Sequence, residues 1–198
     1  MYKLLSIVSL LMVFSFTTAD NKDDRKNAIN YFKETRRDLA KEISGLTEAQ
    51  LNWRPADSVW SIADCVEHIA ISEKNLFDWA MSTLKEPANA AKRSELKADD
   101  EGVKKMITDR SIKVKTPETF KPSGQFANVD GSHKAFIERR EALINYMKQT
   151  KDDLRNHFAT TPMGLLDTYQ LLIFLSGHTK RHTMQIAAVK AMPGFPNQ

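Results

Sequence analysis

The chain carries a single cysteine, Cys65, in 198 residues. An intramolecular disulfide is therefore excluded, and stability must come from the core or from a metal. Glycine and proline are scarce, seven of each, which favours helices over a turn-rich β-sandwich. No uncharged apolar run reaches the roughly twenty residues a membrane span needs; Leu4 to Phe16 has thirteen. Positive charge is not concentrated either. The formal net charge is +4, but Lys and Arg alternate with Asp and Glu, and no basic stretch is interleaved with aromatics. That argues against a nucleic-acid partner. No internal repeat, phosphate-cradling glycine loop or Ser-His-Asp constellation is visible.

What is there begins with an address. Lys3 precedes the apolar run Leu4 to Phe16, and Thr17-Thr18-Ala19 supplies small residues for a signal peptidase. Residues 1–19 read as a signal peptide cut after Ala19, and 20–198 as one domain, secreted or periplasmic. No cysteine stands near the cut to take a lipid, so no stable membrane anchor is expected after cleavage.

The rest is helical in pattern. Asp23 to Ser44 carries Ala28, Tyr31, Phe32, Leu39 and Ile43 near helical spacing. Gly45 and Pro55 break the connector that follows. Ser61 and Asp64 form an acidic variant of the capping box for a second helix running to about Leu84. Residues 85 to 130 are polar and irregular, with a short helix expected from Asp99 to Ile112. A third long helix is expected from Ser132 to about Lys151. The segment TTPMG reads as a loop. Asp167 and Gln170 cap a last helix that ends near Ala191, before Pro193 and Gly194. No β pattern competes. Four long amphipathic helices with one long middle connection give an all-α four-helix bundle.

The last helix contains SGHTKRHTMQI. His178 and His182 are four residues apart, so they share a face, and that face also holds Leu171, Phe174, Leu175, Gln185, Ile186 and Val189. Two inward imidazoles need partners for each nitrogen. The same spacing lets both bind one ion. His68, at the margin of the second helix's apolar stripe, is the candidate third ligand. Three imidazoles leave a fourth position open for water or substrate, which is the catalytic pattern, and the expected chemistry is water activated near neutral pH. His133 and His157 read as surface residues.

LTEAQLNWRPADSVWSIADCVEHIAISE, with Trp53, Pro55, Trp60, Ser61, Ile62 and His68, resembles the entry and second helix of the DinB-like four-helix-bundle superfamily. SGHTKRHTMQI and the trailing PGFP resemble its last helix. The resemblance implies an up-down-down-up bundle, often a homodimer, holding a divalent zinc or nickel ion on His68, His178 and His182. It implies a metal-dependent hydrolase or a thiol-dependent S-transferase. An exported chain has less access to low-molecular-weight thiols, so hydrolysis of a small molecule is the expected activity. A non-catalytic bundle that binds metal or a small ligand is the alternative, and no nucleic-acid partner is implied.

Glu73 lies within the second helix's stripe. It is the expected general base, or a group orienting a metal-bound histidine; otherwise it is a boundary residue paired with Lys or Arg. Gln185 is expected to be a satisfied core amide or to hold a water or ligand. Arg181 is expected on an exposed face, with steering of an anionic substrate as the other reading. Trp53 and Trp60 are expected to pack around the connector, and Cys65 to be a buried hydrophobe.

Overall fold

A computed structural model describes residues 21–197. The expected signal peptide, 1–19, lies outside the described residues.

Six α-helices organise the described residues: α1 Asn21–Ile43, α2 Glu48–Asn52, α3 Ile62–Thr83, α4 Asp100–Thr108, α5 Val129–Gln149 and α6 Thr168–Lys190. Two short 3-10 turns, Ala90–Glu95 and Glu118–Phe120, punctuate the long middle connection. The caps form as the sequence indicates. Ser61 accepts from the Asp64 N–H while Asp64 accepts from the Ser61 N–H, and Asp167 and Gln170 do the same for α6. Asn128 caps α5, which therefore begins three residues before the expected Ser132.

Cross-helix pairs fix the topology. Tyr169 bonds Asp24, Lys180 pairs Glu34 and Lys190 pairs Glu42, so α1 and α6 run parallel. His68 meets His182 while Thr83 meets Thr168, so α3 and α6 are antiparallel. Arg139 bonds the Ala70 carbonyl, Arg140 pairs Glu73 and Phe77 packs on Tyr146, so α3 and α5 are parallel. The bundle is up-down-down-up, with α6 packed against α1, α3 and α4.

The chain is not helical throughout. TTPMG, expected as a loop, joins β1 (Phe158–Thr161) to β2 (Gly164–Asp167) in an antiparallel hairpin. Thr161 Oγ1 accepts from the Met163 N–H and donates to the Gly164 carbonyl, and Gly164 takes φ 111°, a conformation glycine tolerates best.

Two apolar half-cores fill the bundle. One joins Ala28, Phe32, Leu76, Ala80, Leu143, Met147 and the first half of α6; the other joins Leu39, Ile62, Val66, Ile69, Phe136, Ile186 and Val189. Between them runs a polar waist of Thr35, Glu73, Arg140, Ser176 and Thr179, all buried. Gly177 sits at this level. A Cβ there would stand 2.3 Å from Ile107 Cγ2, so the glycine admits α4 against α6.

Candidate metal centre

At the waist, α3 and α6 bring three imidazoles together. His68 Nε2 lies 3.2 Å from His178 Nε2 and 3.1 Å from His182 Nε2. All three ligand atoms lie within 4.8 Å of one another, and no other His, Cys, Asp or Glu group of this kind occurs among the described residues. His68 and His182 are buried; His178 is half-buried.

The outer nitrogens decide what the inner ones present. His68 Nδ1 donates to the Phe120 carbonyl at 2.6 Å. A carbonyl only accepts, so the proton of the neutral ring sits on Nδ1 and Nε2 is a bare lone pair. His182 Nδ1 donates to Gln185 Oε1 at 3.0 Å, with the same result. Two lone pairs therefore face each other 3.1 Å apart, an arrangement that repels unless a cation lies between them.

A proton is a poor cation for this place. Burial, reinforced by the repulsion of His182 and His68, drives the pKa of His178 well below 6.5. Burial does the same for His182, with His68 adding to it, and burial lowers His68 against the opposing pull of the Phe120 carbonyl. A metal ion fits. With metal–nitrogen distances of about 2.0–2.1 Å, tetrahedral neighbours stand about 3.3–3.4 Å apart, within a few tenths of an ångström of the spacing here. The donor set suits a borderline-soft divalent ion.

Neighbouring groups hold the rings. Trp60 packs over His68 and His182, with centroids 4.8 and 6.0 Å away. Phe174 stacks on His178 at 6.4 Å. Glu67, beside His68, accepts from the N–H groups of Ser123 and Gln125 at 3.1 and 3.0 Å. Residues 120–125 are thus clasped to α3 behind His68, an arrangement with no sequence signature because the decisive acceptor is a backbone carbonyl.

Glu73 is placed elsewhere than expected. Its two oxygens accept from Arg140 Nε at 2.5 Å and Nη2 at 2.8 Å, and it does not belong to the imidazole cluster. The general-base reading gives way to the paired-carboxylate one, because a fully buried guanidinium requires that charge. Arg140, overlooked in the sequence, also reaches the Phe32 carbonyl, Thr35, Ser176 and Thr179, so it ties all four long helices. A charged residue within the stripe of Phe136, Leu143 and Met147 was the available signal. Gln185 is half-buried, and its Oε1 accepts from His182 Nδ1. Arg181 is not free on an exposed face: it donates to the carbonyls of Ile107, Asp109 and Ile112. Cys65 is fully buried and its thiol is pushed up to about 12, chiefly by burial. His133 and His157 are half-buried rather than surface residues, each with one buried ring nitrogen unpartnered.

Comparison with known proteins places this architecture. The uncharacterized protein YuaE of Bacillus subtilis (strain 168) is 26% identical over 163 residues, spanning 82% of this chain and 96% of its own length. Among solved structures, YfiT of Bacillus subtilis, described as a probable metal-dependent hydrolase with an unusual four-helix bundle topology, superposes with a TM-score of 0.59. The match covers 90% of this chain and 93% of YfiT at 16% identity, and so speaks to the fold. Residues 31–186, which contain all three histidines and every long helix but the start of α1 and the end of α6, match the DinB superfamily, and the chain belongs to it.

Proposed function

We propose that the protein is a metal-dependent hydrolase of a small molecule, with His68, His178 and His182 as ligands of one zinc or nickel ion. The reading is carried by the two Nε2 lone pairs 3.1 Å apart, each fixed from behind by an acceptor. YfiT's description as a probable metal-dependent hydrolase points the same way. Bound there, a divalent ion supplies Lewis acidity and acidifies water toward neutral pH.

The chain's own residues do the rest. Phe120 and Gln185 hold the tautomers, burial keeps the rings unprotonated, and Trp60 screens one side of the cluster from solvent. Three protein ligands leave a fourth position for water or substrate. The pattern of residues 1–19 favours export, and family likeness alone favours a homodimer.

A second reading is thiol-dependent S-transfer. It is favoured by Glu73, whose engagement with Arg140 leaves no carboxylate base in the cluster. A thiol ionises near pH 8.5 and depends less on a base than water does.

Elemental analysis of the untagged mature chain tests the site. About one equivalent of zinc or nickel is expected, lost in His182→Ala, followed by turnover in a screen of small ester and amide substrates. Wild type without metal after reconstitution overturns the reading and leaves a non-catalytic ligand-binding bundle. Turnover only with an added thiol selects the transferase.

A further inference from the structure

Ser72 of α3 is 1% exposed, and its hydroxyl has no protein hydrogen-bond partner. Every other buried serine or threonine hydroxyl among the described residues has one. Within a helix the usual outlet is the carbonyl four residues back: Ser132 takes that of Asn128, and Thr183 takes that of Thr179. Ser72 makes no such bond to His68. A buried hydroxyl in this state is destabilising, so its retention needs a cause.

Its position supplies one. Ser72 follows His68 by four residues, so it stands on the same face of α3, about 6 Å further along the axis. Because α3 and α6 are antiparallel, the step from His68 to Ser72 matches the step from His182 to His178 on the facing helix. His178 is the half-buried ring of the three, and Phe174, which stacks on it, is half-buried too. Ser72 therefore lies on the less covered side of the imidazole cluster.

A groove continues the same line. Asn75, Leu76, Asp78, Trp79, Thr119 and Phe120 enclose about 510 Å³, within the roughly 300–1,000 Å³ usual for small-molecule sites. Asn75 and Leu76 belong to the turn of α3 that follows Ser72. Phe120 belongs to both places: it lines the groove, and its carbonyl holds His68 at 2.6 Å. Asn75 fixes this wall by donating to the Thr119 carbonyl at 3.0 Å. Leu76, Trp79 and Phe120 make the lining largely apolar, and Asp78, its only charged side chain, is paired with Lys74. The groove thus offers apolar surface and no uncompensated charge.

We propose that Ser72 donates a hydrogen bond to the substrate at the three-histidine site, and that the substrate carries an uncharged, apolar group, such as an aryl ring, which lies in the groove beyond it. This deepens the metal-dependent reading and rests on it. The groove holds the unreactive part of the molecule. Ser72, midway between groove and imidazoles, takes the polar atom next to the reacting bond and so sets its distance from the cluster.

The test has two parts. In the first, the zinc-loaded full chain is titrated by calorimetry with benzohydroxamate and acetohydroxamate, zinc-binding probes that differ by the ring. Wild type is expected to bind the aryl probe at least about tenfold more tightly. Trp79→Ala, or Thr119→Trp as a surface substitution that fills the groove, should remove most of that difference and leave acetohydroxamate unchanged. Ser72→Ala should weaken both probes by about fivefold with zinc stoichiometry unchanged. In the second, urea unfolding of metal-free Ser72→Ala should give a midpoint equal to or above wild type, because the substitution removes an unpartnered buried group. A lower midpoint makes the hydroxyl a structural group and overturns the proposal. Unchanged probe affinity in Ser72→Ala also overturns it, as does equal binding of the two probes by wild type. Zinc content of the same samples separates the two readings: absent zinc refutes the metal site and this proposal with it, whereas full zinc with an indifferent Ser72 refutes the proposal alone.

Discussion

His68 and Phe120, 52 residues apart in sequence, are joined by one hydrogen bond of 2.6 Å from imidazole Nδ1 to the backbone carbonyl. That bond assigns the tautomer of His68 and so aims its lone pair at His178 and His182. The Phe120 carbonyl is in turn held by the clasp of Glu67 on Ser123 and Gln125.

Glu67 is therefore expected to govern metal affinity without touching the metal. Glu67→Ala should leave stoichiometry at saturating zinc unchanged and weaken affinity by roughly 10–100-fold, the usual effect of losing an orienting partner. Competition against a chromophoric chelator measures it. Unchanged affinity would show that the 120–125 segment does not tune His68.

The waist gives a stability prediction. Glu73→Gln leaves the Arg140 guanidinium buried without its counter-charge, and a loss of about 3–5 kcal/mol is expected on urea unfolding. Replacing both, as Glu73→Leu with Arg140→Met, should cost clearly less, because no orphaned charge remains. If Glu73→Gln is as stable as wild type yet loses all turnover, the carboxylate belongs to the chemistry after all.

The buried imidazoles predict a pH dependence of the metal-free protein. His178 and His182 have pKa values well below 6.5 when folded and near 6.5 when unfolded. The unfolded chain thus binds more protons below that pH. The contribution of these residues is complete above about pH 6.5 and is lost as pH falls toward the depressed folded values. Asp167, pushed up to about 6, works in the opposite sense, its contribution fading as pH rises through that value. The informative quantity is the difference between wild type and a His178→Gln, His182→Gln variant. That difference in urea midpoint should change between pH 7.5 and pH 5, with wild type losing more; parallel profiles would refute the assignment.

Cys65 should be inert. It is fully buried, with its thiol pushed up to about 12, so the native protein is expected to resist a thiol reagent that titrates one equivalent in denaturant. Rapid labelling of native protein would place Cys65 on an accessible surface instead.

Much of this architecture was legible in the sequence, and the reason differs by residue. Ser61 with Asp64, and Asp167 with Gln170, are local signals, since a capping box is closed by residues three apart. His178 and His182 are local too. His68 was legible because it stands at the margin of an apolar stripe, and its convergence with the others follows from helix packing. Glu73 could not be assigned from its own segment, because its partner stands 67 residues away. The hairpin escaped because strands of four residues are too short for a period of two to declare itself. Phe120 escaped because any residue type supplies a carbonyl.

The position of α6 has a consequence for how the chain is made. It follows the other described helices in the chain, and it is the neighbour that α1, α3 and α4 share. Until Thr168–Lys190 emerges, the apolar faces of α1 and α3 have only α5 between them, and Ile107 of α4 lacks the gap at Gly177. Two of the three imidazoles also arrive with it. The nascent protein therefore commits to its native form only once Thr168–Lys190 has emerged, and a chain interrupted before it remains an open bundle unable to grip an ion.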